Sequence, residues 1–364
     1  MNSVTSDLRT WAEIDLSAIR HNLCVARSKI GPKPGIVAVV KANAYGHGMI
    51  EVATALADQV ELFGVANVEE ARELVHLGRE ILLLSPSLPA ERREIVERGF
   101  IASVSSAKEA SSFAGGRINF KVDTGMGRMG TWQDEAVEEL RAIIRLGNVS
   151  VHSVSTHLPV PDEDAAFTQA ELAGFAALAE TFRTFVPGVR IHALNSAGIL
   201  GFGDYGFDLV RPGLLLYGSA YPSTYQSLLR PALAWKTRIL LVREVDAGRS
   251  VSYGRTFTTR HPTKIASLAV GYADGFPRQA SGQGAHVLIG GRRCPVLGRV
   301  TMDQILVDVS EVPAAQASDE AVLIGWQGSE EIIARELADQ AGTITWNIFT
   351  GLGNRVKRIY LNQS

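Results

Sequence analysis

Cysteine is nearly absent: Cys24 and Cys294 are the only two in 364 residues. That is too few for a disulfide framework or a cysteine metal motif, so no metal is expected and a reduced, cytoplasmic setting fits best. An excess of one charge is also missing. With 36 Lys and Arg against 38 Asp and Glu, the formal charge is -2 and no long run of like charge occurs, which argues against nucleic acid or another polyanion as partner. No apolar stretch reaches the length of a membrane span, and MNSVTSDLRTWAEIDL lacks both the basic and the apolar region of a signal peptide. Low-complexity segments are lacking too. What remains is a protein whose expected partners are small molecules or a second copy of itself, with no membrane involved.

The chain is 46% hydrophobic and 20% charged, a globular composition with length enough for two domains. From Ile36 to about Pro212, short apolar runs alternate with longer amphipathic segments, the pattern of repeated βα units with parallel strands. Eight strands are expected: Ile36 to Val40, Leu62 to Ala66, Ile81 to Leu84, Ile101 to Val104, Ile118 to Val122, Val149 to Ser155, Val189 to Ala193 and Phe207 to Val210. Between them, Glu135 to Arg145 carries Val137, Leu140, Ile143 and Ile144 at helical spacing. Eight such units predict an α/β fold with an N-terminal (β/α)8 TIM-type barrel over residues 1–232. After residue 233 the runs KTRILLVREV, TKIASLAVGY, AHVLIG, CPVLGRV and DQILVDV predict a mainly-β domain over 233–364, with a helix from Glu330 to Gln340 and a closing strand in RVKRIYL. The segment before Leu16 could pack on either domain.

In such a barrel the chemistry sits at the C-terminal ends of the strands. Lys41 ends strand one, Arg128 follows strand five, His157 ends strand six, Asn195 and Ser196 follow strand seven, and Arg211 follows strand eight. Each alone would more often be structural; together they mark one rim as a site. A lysine closing the apolar run IVAVV is costly without a task. In a partly desolvated site its amine can lose its proton and form a Schiff base with a carbonyl. If that carbonyl belongs to pyridoxal phosphate, Ser196 and Gly213 are placed to help cradle the phosphate, although they also suit a helix cap and a turn. A competing pattern, G-x-G-x-x-G at Gly125, Gly127 and Gly130, is the form of a dinucleotide loop. The next strand offers no acidic residue for a ribose, and Arg128 stands inside the cluster, so this reading carries less weight.

The motifs VVKANAYGHG, KVDTGMGRMG, HALNSAG, VRPG with LYG, VSYG, GYADG and GRVTMDQ occur in an order and spacing that resembles the alanine racemase family over nearly the whole chain. The resemblance implies pyridoxal phosphate bound to Lys41 as a Schiff base, and a homodimer with shared active sites. It implies two catalytic bases, Lys41 and Tyr253, the second donated by the partner subunit. Inversion at an α-carbon needs a base on each face. By the same resemblance the cofactor contacts are Tyr45, Arg128, His157, Asn195, Ser196, Arg211, Gly213 and Leu214. Arg128, Met302 and Asp303 border the substrate, and Asp162, Tyr272, Arg278 and Arg299 line its entrance. Without the resemblance, Tyr253 reads as an ordinary tyrosine and the entrance charges as solvated ones. Lys121 matches a lysine carbamylated in some members.

Two departures stand out. Thr301 replaces a cysteine of several members, which bears on pocket size, and Asn354 replaces a phosphate-binding tyrosine, which removes one contact. The function implied is interconversion of L- and D-alanine, supplying D-alanine for peptidoglycan. The alternatives are a related racemase acting on serine or lysine, and a non-catalytic pyridoxal-phosphate carrier. Such carriers lack the β domain that this chain shows.

Overall fold

The computed structural model describes residues 5–363, apart from the side chain of Asp204; residues 1–4 and Ser364 of the two expected domain spans lie outside it. The chain forms two compact units. One runs from Ile19 to Ala44 and from Gly48 to Arg230; the other holds the chain up to Ala18, Tyr45–His47 and the chain from Pro231.

The first unit is a closed barrel of eight parallel strands: Gly35–Val39, Leu62–Val65, Glu80–Leu83, Ile101–Val104, Arg117–Asp123, Ser150–Ser155, Arg190–His192 and Leu209–Val210. They are numbered one to eight in that order here. Strand eight pairs with strand one through Leu209↔Gly35, which closes the ring. The βα alternation dictates this outcome, because parallel neighbours need a crossover and the helices cover the outer face.

The barrel interior is divided between apolar and polar halves. Val37, Leu62, Leu82, Ile101 and Leu209, from strands one to four and eight, form one buried cluster. Facing it are buried polar side chains: the Ser103 hydroxyl donates to the Leu83 carbonyl at 2.6 Å, Asn119 Nδ2 to Ser103 Oγ at 3.0 Å, and Ser153 Oγ to Asn119 Oδ1 at 3.0 Å. Satisfied in this way, buried polar groups fix one arrangement rather than weaken the core. Strand five shows the alternation most plainly. Phe120 packs outward in an edge-to-face contact with Phe182 of the helix Ala165–Phe185, 6.4 Å between ring centres. Arg117, Asn119, Lys121 and Asp123 therefore share the inner side.

At the N-terminal end of the barrel, Glu80 gathers three strands. Its carboxylate pairs with Arg117, with Arg190 at 3.0 Å, and accepts from His152 Nε2 at 3.4 Å. Burial raises the Glu80 carboxyl, but the hydrogen bond from Arg117 and the charges of His152, Arg117 and Arg190 outweigh it and hold the pKa below its ordinary value. Burial and Arg190 push His152 down to about 4. At neutral pH the His152 contact is thus a hydrogen bond from a neutral ring rather than an ion pair.

In the second unit the long strand Leu233–Val245 pairs with Thr10–Asp15, Thr263–Leu268 and Glu320–Gln327. Thr10–Asp15 in turn lies parallel to Lys357–Leu361. Trp11 and Trp235 are fully buried, and Trp235 Nε1 donates to Thr10 Oγ1 at 3.0 Å. The expected helix Glu330 to Gln340 is corrected at its start. Glu330–Ile332 is a strand, and the helix is Ala334–Gln340. Gly328, at φ 65°, allows a two-residue turn after Gln327, and the hairpin register Gln327↔Glu330 overrides the helical preference of the glutamates. Among the described residues no helix is long and apolar enough to cross a membrane.

Glu80→Ala should lower stability at pH 7 by about 1 to 3 kcal/mol, since two guanidinium groups lose a shared partner. Because the folded pKa of Glu80 lies below its ordinary 4.5, the stabilisation is present above that pH and lost as pH falls through the folded value. Urea melts at neutral and acidic pH should therefore show the difference between the variant and the native protein shrinking with acid.

Candidate active site

Strand one ends sharply. The Val39 carbonyl accepts the buried Tyr217 hydroxyl at 2.9 Å, and Val40 N donates to the Gly64 carbonyl at 3.0 Å. Past Lys41, four successive residues, Ala42, Asn43, Ala44 and Tyr45, adopt φ of 53°, 54°, 51° and 53°, a left-handed turn without a glycine. Such a conformation costs roughly 1–2 kcal/mol per L-residue. Hydrogen bonds hold it: Ala44 N to the Val40 carbonyl at 2.7 Å, Gly48 N to the Asn43 carbonyl at 3.0 Å, and Met49 N to Asn43 Oδ1 at 2.8 Å. Glu70 accepts from Ala42 N and from Ala66 N, both at 2.7 Å, tying the turn to the end of strand two.

The loop after strand five is wound around a carboxylate. Asp123, buried, accepts from the amides of Gly125 at 3.0 Å, Gly127 at 3.1 Å and Arg128 at 3.2 Å. Gly130 cannot be replaced there, since a Cβ would lie 2.8 Å from Asp123 N. The glycine cluster is thus explained by the winding around Asp123, and the amides of Gly125, Gly127 and Arg128 are already taken by its side chain.

Cations collect around this loop. Burial lowers the Lys41 amine, the Arg128 charge lowers it further, and Glu70 opposes without reversing the shift. Lys121, buried beneath the loop, is lowered well below the ordinary lysine value by burial, then by Arg211 and Arg128, against Asp123. Arg211 is also buried. It donates to His192 Nδ1 at 2.6 Å, the His192 carbonyl at 3.0 Å, the Thr156 carbonyl at 2.6 Å, the Ala193 carbonyl at 2.9 Å and His157 Nδ1 at 3.5 Å. Burial, then Arg128, brings it down to about 10, so it stays charged at neutral pH among uncharged acceptors. His157 and His192 are held well below the ordinary histidine value by burial first and Arg211 second. Both rings are therefore neutral. Because His192 Nδ1 accepts from Arg211, Nε2 carries its hydrogen, buried and without a partner among the described residues.

On the same rim the Ser196 hydroxyl oxygen draws in two amides, Gly213 N at 2.9 Å and Leu215 N at 3.1 Å. Asn195 caps the helix Ser196–Phe202 through Gly198 N at 3.0 Å and donates to the Leu158 carbonyl at 3.3 Å. With both amides donating to its oxygen, the Ser196 hydroxyl is left to donate its own hydrogen, a cradle suited to a phosphate oxygen. A lysine amine of lowered pKa, an uncompensated guanidinium and this cradle fit pyridoxal phosphate. Asp162 lies half-buried in the loop after strand six.

The remaining predicted residues belong to the second unit. Tyr253 is 71% exposed, on a turn where Ser252 has φ 64° and Arg255 has φ 51°. The Arg299 guanidinium packs on Gly254, and Ser252 Oγ donates to the Arg299 carbonyl at 2.6 Å. Tyr272 N donates to the Thr301 carbonyl and Ala273 N to the Met302 carbonyl, both at 3.0 Å, joining the GYADG turn to TMDQ. Arg355 forks between Asp274 at 3.0 Å and Asp303 at 2.9 Å, next to the exposed Asn354. Arg278 opens the short turn Arg278–Ala280. Tyr45 is buried, which pushes its phenol up to about 12. Sequence reasoning missed Asp123 and His192 as site residues; the alternation in RINFKVD was the available signal for the first, and a polar residue inside RIHAL for the second.

Family comparison matches the N-terminal domain of alanine racemase to residues 14–221 and its C-terminal domain to residues 232–360. An alanine racemase of Methylacidiphilum infernorum is 40% identical over 363 residues, covering 97% of this chain and 92% of that one. The crystal structure of alanine racemase from D-cycloserine-producing Streptomyces lavendulae has a TM-score of 0.88 at 37% identity, covering 98% of this chain and 97% of that one. That of Bartonella henselae alanine racemase with covalently bound pyridoxal phosphate has a TM-score of 0.88 at 29% identity, covering 97% and 99%.

The left-handed turn makes a direct forecast. Ala42 is exposed with φ 53°, so Ala42→Gly relieves strain without losing packing. It should stabilise the protein by about 1 kcal/mol, with no change in the slope of a urea titration.

Proposed function

The chain belongs to the alanine racemase family of pyridoxal-phosphate-dependent isomerases, and on that premise we propose that it interconverts L- and D-alanine by two bases, Lys41 and Tyr253 of the partner subunit. The observation that carries the proposal is the Lys41 amine at the end of strand one, half-buried, with a lowered pKa and Arg128 close enough to help lower it. The cofactor, held by Lys41, supplies an electron sink that acidifies the substrate α-carbon.

The chain's own residues do the rest. Lys41 takes or returns the α-proton on one face, and Tyr253 serves the other. A phenol 71% exposed within its own chain is accessible to a second subunit, which supports a homodimer with shared sites. Arg128 hydrogen-bonds the cofactor's phenolic oxygen and binds the substrate carboxylate by a charge-assisted contact. Arg211 keeps its full charge among neutral acceptors, so it disfavours a proton on any ring nitrogen it faces and limits side reactions such as transamination. His157 and Asn195 hold this shell. Ser196, Gly213 and Leu214, with Tyr45, hold the phosphate. Burial, then Arg211 and Arg128, lower the Lys121 amine well below its ordinary value, which favours the free electron pair that adds to carbon dioxide; loss of a proton would then leave a carbamate anion to steady Arg128. Met302 and Asp303 border the substrate, and Asp162, Tyr272, Arg278 and Arg299 filter small zwitterions at the entrance.

In this reading residues 1–232 bind the cofactor and 233–364 donate the second base. The enzyme works in the cytoplasm, without nucleic acid, and supplies D-alanine for peptidoglycan.

Tyr253→Phe should keep the visible absorbance of the bound cofactor while racemisation of L-alanine falls by roughly 10²- to 10⁴-fold; full activity in that variant would remove Tyr253 as a base. For substrate choice, kcat/KM measured on alanine, serine and lysine should rank alanine first. Alanine in last place would move the assignment to a racemase of another amino acid.

A further inference from the structure

Helix Ala165–Phe185 buries Thr168, Glu171, Leu172, Phe175, Ala179 and Phe182 along one face. Glu171 is the carboxyl in that otherwise mostly apolar stripe, and it is 6% exposed. Its Oε1 accepts from the Thr124 hydroxyl, which lies 2.7 Å from the hydroxyl of Thr156. Its Oε2 is buried and has no partner among the described residues. Both threonines sit one residue from the site's machinery. Thr124 follows Asp123, around which the Arg128 loop is wound; Thr156 precedes His157, and its carbonyl accepts from Arg211 at 2.6 Å. The loop also rests on this helix, for a Cβ on Gly125 would lie 3.0 Å from Phe167 Cζ and 3.9 Å from Glu171 Oε1.

We propose that Glu171 is a positioning residue for Arg128: its carboxyl group locks Thr124 to Thr156 and so fixes the loop that carries the arginine. The proposal rests on the reading of Arg128 as the group that binds the substrate carboxylate. The lock works in its neutral form. The loop after strand five presents Thr124 to Glu171, the residue after strand six presents Thr156 to Thr124, and Asp123 is the one nearby charge to act on the carboxyl. Glu171 has one hydroxyl bond and a buried setting, which together favour its neutral carboxyl over a carboxylate. Burial, then the Asp123 charge, raises its pKa against the bond from Thr124. A raised carboxyl reduces stability above its ordinary value of 4.5, and the loss disappears at lower pH, where folded and unfolded chains both hold the proton.

The test uses the holoenzyme for kinetics and melts of the protein, with and without added pyridoxal phosphate, across pH. Glu171→Gln should keep KM and kcat for L-alanine within about twofold and melt higher than the native protein near neutral pH, the gain vanishing in acid. Glu171→Leu and Thr124→Val should each raise KM by about tenfold, more than they lower kcat, with cofactor absorbance intact. Thr124→Val is nearly isosteric and decides the matter if Glu171→Leu does not fold. An unchanged KM in Thr124→Val overturns the proposal. So does Glu171→Gln proving as impaired as Glu171→Leu, because the charge and not the lock would then be needed. Arg128→Ala separates the two readings: a normal KM there removes the role of Arg128 itself, while a raised KM there beside a normal one in Thr124→Val removes only the lock.

Discussion

Four cations stand at the C-terminal end of the barrel without an ion-pair partner among the described residues: Lys41, Lys121, Arg128 and Arg211. The nearby carboxylates are engaged elsewhere. Glu70 accepts from the amides of Ala42 and Ala66, and Asp123 from those of Gly125, Gly127 and Arg128. Burial first and mutual repulsion second lower the pKa of the two lysines, while Arg211, at about 10, keeps its charge at neutral pH. The result is a mouth in which amines of lowered pKa stand beside permanent cations. Those are the two properties that a phosphorylated aldehyde and an amino acid require of a protein.

Holding such a cluster costs stability, and the fold compensates at a distance. The floor of the barrel reverses the pattern seen at the mouth, with Glu80 shared by Arg117 and Arg190. The left-handed run from Ala42 to Tyr45 survives because amides at its edges find Glu70, Val40 and Asn43. Strain is concentrated beside Lys41, where the chain must leave the barrel within a few residues, and the anchors surround it on both sides.

Much of this was legible in the sequence. All eight barrel strands follow from apolar runs separated by helical periodicity, because parallel strands covered by helices are apolar on their outward side. Strand ends were legible too: Lys41, Arg128, His157, Ser196 and Arg211 are polar residues placed where apolar runs stop. Less visible was whatever depends on register between distant segments. Glu171 looks like an ordinary helix glutamate until the helix face is known. Asp123 serves its own loop, and sequence cannot say that its carboxylate turns back onto Arg128 N. Glu330–Ile332 resembles the start of a helix because the hairpin that makes it a strand depends on pairing with Gly325, Trp326 and Gln327.

Strand five links these parts. Its inner side carries, in order, Arg117 at the floor, Asn119 in the middle, Lys121 below the mouth and Asp123 at the rim. Successive members are about 6.6 Å apart, two residues of strand rise. A slip of one residue would turn all four toward the helices and bring Ile118, Phe120 and Val122 inside. The floor ion pair, the Asn119 bonds to Ser103 and Ser153, and the Arg128 loop would be lost together. Hence the register that buries Phe120 against Phe182 is also the register that sets Lys121 beneath Arg128. Stability and function are coupled through a single alternation of side chains, which is why the polar residues of RINFKVD are tolerated inside a barrel at all.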